Sequence, residues 1–355
     1  MSMKNHTKVF LALIVWCFFG LESIYAQKED DKEFYETKIE ELVNIPMDRS
    51  SVIGMPHPHP KGEWHFQYQY MDMHMTGTLT GNKRNSLTEV LDNFTMAPTK
   101  MHMGMHMGMI MYGLTKRWTL TAMAQYHNFE MDMIKFDGSE MKMESKGFGD
   151  TKVRATYIAY HKNRISIIAN IGSSLPTGAI NKTSINRMTG QNELMPYHMQ
   201  LGSGTFDPLI DISFLVSTMK SSWGVAAKST FRLHDNENGY HLGNQYEIMS
   251  GYSYSVNRWF SVTSRFDMVF WDNINGSDSD INPSISPNHR PDLRGGSRFD
   301  LSGGLAFKVP KGSLKGGEFI IDYRRPVYQD LEGPQMPVDH HFVLTFQIII
   351  NKKDS

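Results

Sequence analysis

From Met101 to Met111 methionine takes every second position, six times without a break, within TKMHMGMHMGMIMY at 99–112. On a helix, residues two apart are rotated by about 200°, which would spread the methionines around the whole cylinder. On a strand, residues i, i+2 and i+4 share one face. The stretch is therefore a strand with one thioether wall.

The same period of two recurs in twelve runs of about ten residues or more: 62–76, 99–112, 117–133, 147–161, 164–177, 205–219, 222–235, 244–256, 259–272, 297–310, 314–327 and 338–350. That is the length a tilted strand needs to cross a bilayer. Connections between runs alternate in length. Those at 113–116, 162–163, 220–221, 257–258 and 311–313 are short; those at 77–98, 134–146, 178–204, 236–243, 273–296 and 328–337 are longer. A soluble β-sandwich also gives short strands and turns, but it does not require this rhythm.

Mid-strand charges separate the two readings. Phe260, Val262, Phe266, Met268 and Phe270 alternate with Ser261, Thr263, Arg265 and Asp267. A cationic side chain facing lipid at the midplane costs about 2 to 4 kcal/mol, so the charged side must be a lumen. The expected lumen charges are Lys152, Arg154, Asp207, Asp211, Lys228, Arg232, Glu247, Arg265, Asp267, Arg298, Asp300, Glu318, Asp322 and Arg324. They read as ion-pair networks bracing the wall, or as a permeation path that selects solutes. The fold expected is all-β: a transmembrane antiparallel up-and-down β-barrel of about 12 strands, with short turns and both termini in the periplasm.

Ahead of the barrel, MSMKNHTK, the apolar run VFLALIVWCFFGL and a small residue at Ala26 read as an N-terminal signal peptide, 1–26, too short for a membrane helix. Cys17, the only cysteine, leaves with it, and Trp16 before it argues against lipidation. Residues 27–61 do not alternate and are placed in the periplasm, with KEDDKEFYETKIEELV as a short helix and HPHP as an exposed turn, the alternative being a periplasmic ligand pair of His57 and His59. Residues 62–350 form the barrel and 351–355 a tail. A formal net charge of −1 argues against a nucleic-acid partner.

Seventeen of the 26 methionines fall between Met47 and Met143. In the first run Trp64, Phe66, Tyr68 and Tyr70 form the lipid face, leaving Met71, Met73 and Met75 inward. In the third, Leu120, Ala122, Ala124 and Tyr126 face out, leaving Met123, His127, Met131 and Met133 inward. Parity in the second run is open, because the face opposite its methionines carries His102, Gly104, His106 and Gly108, a poor lipid surface. Thioethers suit Cu(I), and imidazole accepts Cu, Zn or Ni. The candidate metal belt is thus Met71, Met73, Met75, Met101, His102, Met103, Met105, His106, Met107, Met123, His127, Met131 and Met133, with copper as the ion. Methionine is equally an adaptable apolar filler.

Enzymatic signals are thin. GSGTF at 202–206 lacks the nucleophile-elbow pattern, and DLRGGSRFDL has no following helix to bind phosphate. A non-enzyme is expected; a hydrolase assembled only by folding is the enzymatic alternative.

GEWHFQYQYMDMHM, MHMGMHM, LPTG at 175–178, MPYHMQLGSGTFD, DNENGYHLGNQY, DLRGGSRFDL and PVYQDLEGPQ together resemble bacterial outer-membrane transporters related to the meta-pathway phenol-degradation family. The resemblance runs from about Met55 to Gln347. It implies an outer-membrane barrel of a Gram-negative bacterium, in a Met-rich branch often encoded beside heavy-metal efflux systems. The function expected is an outer-membrane channel or transporter for a small solute, a soft metal ion such as copper. The alternatives are a transporter of hydrophobic or aromatic compounds and a surface metal-sequestering barrel with a plugged lumen. Expected partners are outer-membrane lipid, the barrel-assembly machinery and metal-efflux components.

Overall fold

Twelve antiparallel strands close into a barrel in the computed structural model, which describes residue 55 and residues 59–185 and 192–350. The expected signal peptide, acidic helix and C-terminal tail lie outside the described residues. The strands are β1 (Trp64–Thr76), β2 (Met96–Gly113), β3 (Trp118–Lys135), β4 (in two segments, Glu140–Phe148 and Thr151–Lys162), β5 (Ile165–Leu175), β6 (Asp207–Ser217), β7 (Ser221–Thr230), β8 (Gln245–Asn257), β9 (Phe260–Trp271), β10 (Gly296–Lys308), β11 (Glu318–Gln335) and β12 (Val338–Ile350). Each pairs with its neighbours in sequence. β1 also pairs with β12, from Trp64 opposite Ile350 to Met75 opposite Val338, and this closes the ring. Closure leaves no unpaired edge, which is what lipid demands of a sheet.

Parity follows the sequence. On β9, Val262 and Phe270 are exposed while Thr263, Arg265 and Asp267 are buried. Eleven steps from Phe260 to Trp271, at ~3.4 Å each and tilted ~40°, rise about 29 Å, enough for an apolar band of ~25 Å. Aromatic rings pack in tilted pairs at its edge: Trp64 with Tyr112 and Trp118 with Tyr157, both at 4.6 Å, near the short turns.

Two connections expected as long loops are not loops. β3 runs to Lys135 and pairs with Glu140–Phe148, so 134–146 is a projecting hairpin, while β11 continues to Gln335, paired with β10 as far as Leu331 opposite Gly296 and then with Leu79 of the 77–95 loop. Their alternation simply continues past the bilayer. Two strands are shorter than expected: β7 stops at Thr230, leaving Arg232 on the loop, and β11 begins at Glu318 after a wider turn.

β4 is broken at Gly149-Asp150. Its first segment pairs with the far half of β3 and its second with the near half. Gly149 N–H donates to the Gln125 carbonyl at 2.9 Å, and a Cβ there would lie 2.2 Å from His127 Nε2. Only glycine lets the wall pass that ring.

The long loops fold over their end of the barrel. The connection 77–95 holds a small hairpin, Thr78–Gly81 with Lys83–Asn85, and a one-turn helix, Leu87–Leu91, fixed by a capping box between Ser86 and Glu89. From 178–204, 236–243 and 273–295 come Tyr197, Tyr240, Ile274 and Ile281, which form a buried apolar cluster.

Candidate functional site

Three interior regions meet in the bore. The first is a methionine chamber at the long-loop end. Register settles the open parity of β2: Met71, Met73 and Met75 of β1 lie opposite Met105, Met103 and Met101, and Met101 lies opposite Met131 of β3. Met73, Met101, Met131 and Met133 are buried, so the β2 methionines share the inward face of the β1 and β3 ones. Met101, Met131 and Met133 cluster with Phe129, Met143, Met195, Met199 and Leu201, and Met75, Met103 and Met105 pack against that cluster. Met71, Met107 and Met123 face the same bore further toward the short turns. His127 is buried beside Phe129, ring centroids 5.0 Å apart.

His102 and His106 do not join them. Alternation puts them on the outer face, where His106 Nδ1 meets Tyr68 Oη at 2.7 Å and His102 Nε2 bonds to Asp72. One strand cannot offer adjacent residues to one side of a wall.

The chamber has members outside the expected belt. Met141 and Met143 fell in a presumed loop, although EMKME carries the same M-x-M signal. Met195 and Met199 come from the folded-in loop, where MPYHM was the available hint. Met131 is the centre: its Sδ lies 3.3 Å from His198 Nε2 and 3.4 Å from Asn288 Nδ2. Arg294 Nη1 donates to Asn288 Oδ1 at 3.2 Å and so orients the amide. Burial, with Arg294 and His289 nearby, holds the His198 imidazole well below its ordinary range, so it stays neutral and can use a ring nitrogen as a ligand. No periodicity marks Asn288.

The second region is a charge belt on the inner wall, reaching from Glu318 at the start of β11 to Arg232 on the loop after β7. Arg154 pairs with Asp211 at 2.9 Å, Lys228 with Glu247 at 3.4 Å, Arg298 with Asp300 at 3.0 Å, and Arg232 with Asp207. Asp267 takes Arg265 Nε at 3.0 Å and Arg324 Nη1 at 3.6 Å. Arg265 also reaches Asp322 at 3.9 Å, and Gln347 donates to Glu318 at 2.6 Å. Asp207, Asp267 and Asp300 are each 0% exposed. With Lys152, the inward set holds seven cations (Lys152, Arg154, Lys228, Arg232, Arg265, Arg298, Arg324) and seven anions (Asp207, Asp211, Glu247, Asp267, Asp300, Glu318, Asp322). Equal numbers leave these fourteen residues with no net formal charge, and their mutual pairing supports bracing over selection by sign.

The third region covers both ends. GSGTF is a tether rather than a nucleophile loop: Ser203 Oγ donates to Asp150 at 2.7 Å and Thr205 Oγ1 to Asp207 at 2.6 Å, fastening the loop to the wall. Across the loops, Asn238 donates to Asp278 at 2.8 Å, whose own N–H reaches Tyr197 Oη at 3.1 Å. At the short-turn end Met55 and His59 are buried inside the barrel. Met55 packs on Ala226, Met249 and Leu215. His59, expected on an exposed turn, is 3% exposed; its N–H donates to Thr119 Oγ1 at 3.0 Å, and its ring links Glu63 (2.7 Å) to His65 (3.0 Å). Gly113 lets this segment lie close, since a Cβ there would meet the Pro60 carbonyl. His57 lies outside the described residues.

No protein-family model and no curated protein matches the chain. Among solved structures it is similar to an outer membrane channel from Pseudomonas putida F1, with a TM-score of 0.59 and 11% identity over 85% of this chain and 100% of that one. The NanC porin aligns more loosely, at TM-score 0.40 and 8% identity over 78% and 98% of the two chains. A Pseudomonas aeruginosa FadL homologue does so at 0.38 and 9% over 81% and 89%. At 11% identity the first likeness is one of fold: this chain builds the same kind of closed antiparallel barrel as an outer membrane channel.

Proposed function

We propose that the chain is an outer-membrane channel or transporter of a Gram-negative bacterium, non-enzymatic, with its short turns in the periplasm and its long loops outside. An apolar outer face around a polar interior, closed without an edge, supports the membrane setting. On this reading the motif resemblance to transporters related to the meta-pathway phenol-degradation family is one of common descent. Lipid and the barrel-assembly machinery are the partners entailed, with metal-efflux components as a further one.

The solute we assign is a soft metal ion, Cu(I). The observation that carries this is the thioether of Met131, held between the His198 imidazole and the Asn288 amide inside a methionine chamber. Soft sulfur with one neutral imidazole is the donor set Cu(I) favours, and weak, closely spaced sites pass an ion along without trapping it. Replacing Met101, Met131, Met133 and Met199 together with leucine removes Cu(I) uptake in a competition titration against a chromophoric chelator. Unchanged affinity overturns the assignment.

A plugged, metal-sequestering barrel is the second reading, favoured by the buried charge belt and by the segments folded into both ends. Planar bilayers separate the two: steady current supports a channel, a silent membrane supports sequestration. A hydrophobic solute is the third, since Phe129 and Leu201 share the chamber. Displacement of a bound apolar fluorophore by aromatic compounds, with no response to Cu(I), would select it.

A further inference from the structure

The outer wall carries a second donor set, chemically unlike the chamber behind it. Outward residues of β1 run Trp64, Phe66, Tyr68, Tyr70 and then change to Asp72, His74 and Thr76. That change marks where the wall leaves hydrocarbon for water on the long-loop side.

At this level β1 lies between β2 and β12, and three histidines stand abreast: His74 is opposite His102 on one side and His340 on the other. The His74 ring lies 4.8 Å from that of His102 and 4.9 Å from that of His340. One residue pair below, the Asp72 carboxylate receives His74 Nε2 at 2.8 Å on one oxygen and His102 Nε2 on the other. Tyr70 Oη donates to Asp72 at 3.3 Å and steadies it from the apolar side. The ligand atoms of Asp72, His74 and His102 all lie within 4.8 Å of one another. Their side chains are 21%, 44% and 35% exposed, open to an ion arriving from solution.

We propose that Asp72, His74 and His102 form a binding site for a borderline divalent transition metal, Zn2+ or Cu2+, on the outer face of the barrel. Two imidazoles and one carboxylate are the ligand types such ions take, with arms of about 2.0–2.2 Å. Arms of that length at a tetrahedral angle set donors about 3.4 Å apart. The present 2.8 Å contact therefore opens by roughly half an ångström, within reach of side-chain rotation, as the metal replaces the protons the carboxylate now shares with the two rings. His340, stacked on His74, is placed to limit that ring's rotation.

This site is independent of the Cu(I) assignment. Met101 and Met103 flank His102 in sequence, yet they face the bore while His102 faces outward, so one strand presents sulfur inside and nitrogen outside.

The test uses the untagged full chain in detergent, stripped with chelator. Zn2+ titrated against a chromophoric competitor is expected to fill one tight site, and Cu2+ to show electron-spin couplings from two imidazole nitrogens. The variant His74→Gln/His102→Gln is expected to lower the tightest affinity at least tenfold and to remove those couplings, while Asp72→Asn lowers affinity with the couplings retained. A Met101→Leu/Met131→Leu variant leaves Zn2+ binding unchanged. All variants keep the heat-sensitive gel mobility of a folded barrel. Absence of tight Zn2+ binding in the parent chain, or equal binding in the double histidine variant, overturns the proposal.

Discussion

The quarter of the wall formed by β1–β3 and the three-quarters formed by β4–β12 present largely the same exterior, aromatic and aliphatic, and quite different interiors. Behind β1–β3 stand methionines that pack against one another and against a folded-in loop. Behind β4–β12 stand buried ion pairs. Lipid fixes the outward residues of both regions, whereas inward residues need only satisfy each other. A lumen is where such a barrel differentiates. The charged part is held by pairs in which each member depends on the next, and the methionine part by flexible, interchangeable contacts.

The sharpest way to break this contrast is to remove a charge from the belt. Asp267→Ala strips Arg265 and Arg324 of a fully buried carboxylate and is expected to cost about 3 to 5 kcal/mol in thermal unfolding in detergent. A loss under 1 kcal/mol would mean that the belt is solvated and the contrast false.

Next in size is the cap over the chamber. Burial, with Arg294 nearby, holds His289 down to about 4, whereas an unfolded chain titrates near 6.5. Between these values the unfolded form binds more protons. The cap's stability is therefore full above pH ~6.5 and falls by roughly 3 kcal/mol as pH drops to about 4. Hydrogen exchange across 273–295, corrected for intrinsic rates, should quicken at pH 5 relative to pH 7. An equal rate removes His289 as the cause.

At the short-turn end, a Cβ on Gly224 would lie 2.4 Å from Met55 Sδ and 2.6 Å from Leu215 Cδ2. Gly224→Ala is expected to cost about 1 to 3 kcal/mol. Met55→Ala should restore most of it in a double-mutant cycle, unless Leu215 is the obstacle. The smallest effect belongs to the chamber. Met131→Leu and Met133→Leu conserve volume and should each cost under about 1.5 kcal/mol while weakening Cu(I) binding. A large destabilisation would show that packing, not ligation, explains those residues.

Strand number, order and facing were legible because period two is physically unambiguous on a pleated sheet, as the inward Met71 and outward Tyr70 show. The β2 parity was not, because histidine and glycine look like poor lipid contacts until one sees that Asp72 partners His102 and Tyr68 partners His106 on the outer face. The wall charges were legible for the reason the strands were. The cap was not: His198 and Asn288 reach Met131 from loops whose paths no periodicity describes. His59 reads as a turn residue in HPHP, and only its burial against Thr119 reveals otherwise.

Joining β1 to β12 places hydrogen-bond partners at nearly opposite ends of the described chain. A nascent polypeptide thus holds one unsatisfied flank until its last segment has been made, and contacts so distant in sequence are slow to form. Maturation must wait for the C-terminus, and a truncation that deletes 338–350 would leave a sticky, open ribbon instead of a smaller version of the same pore.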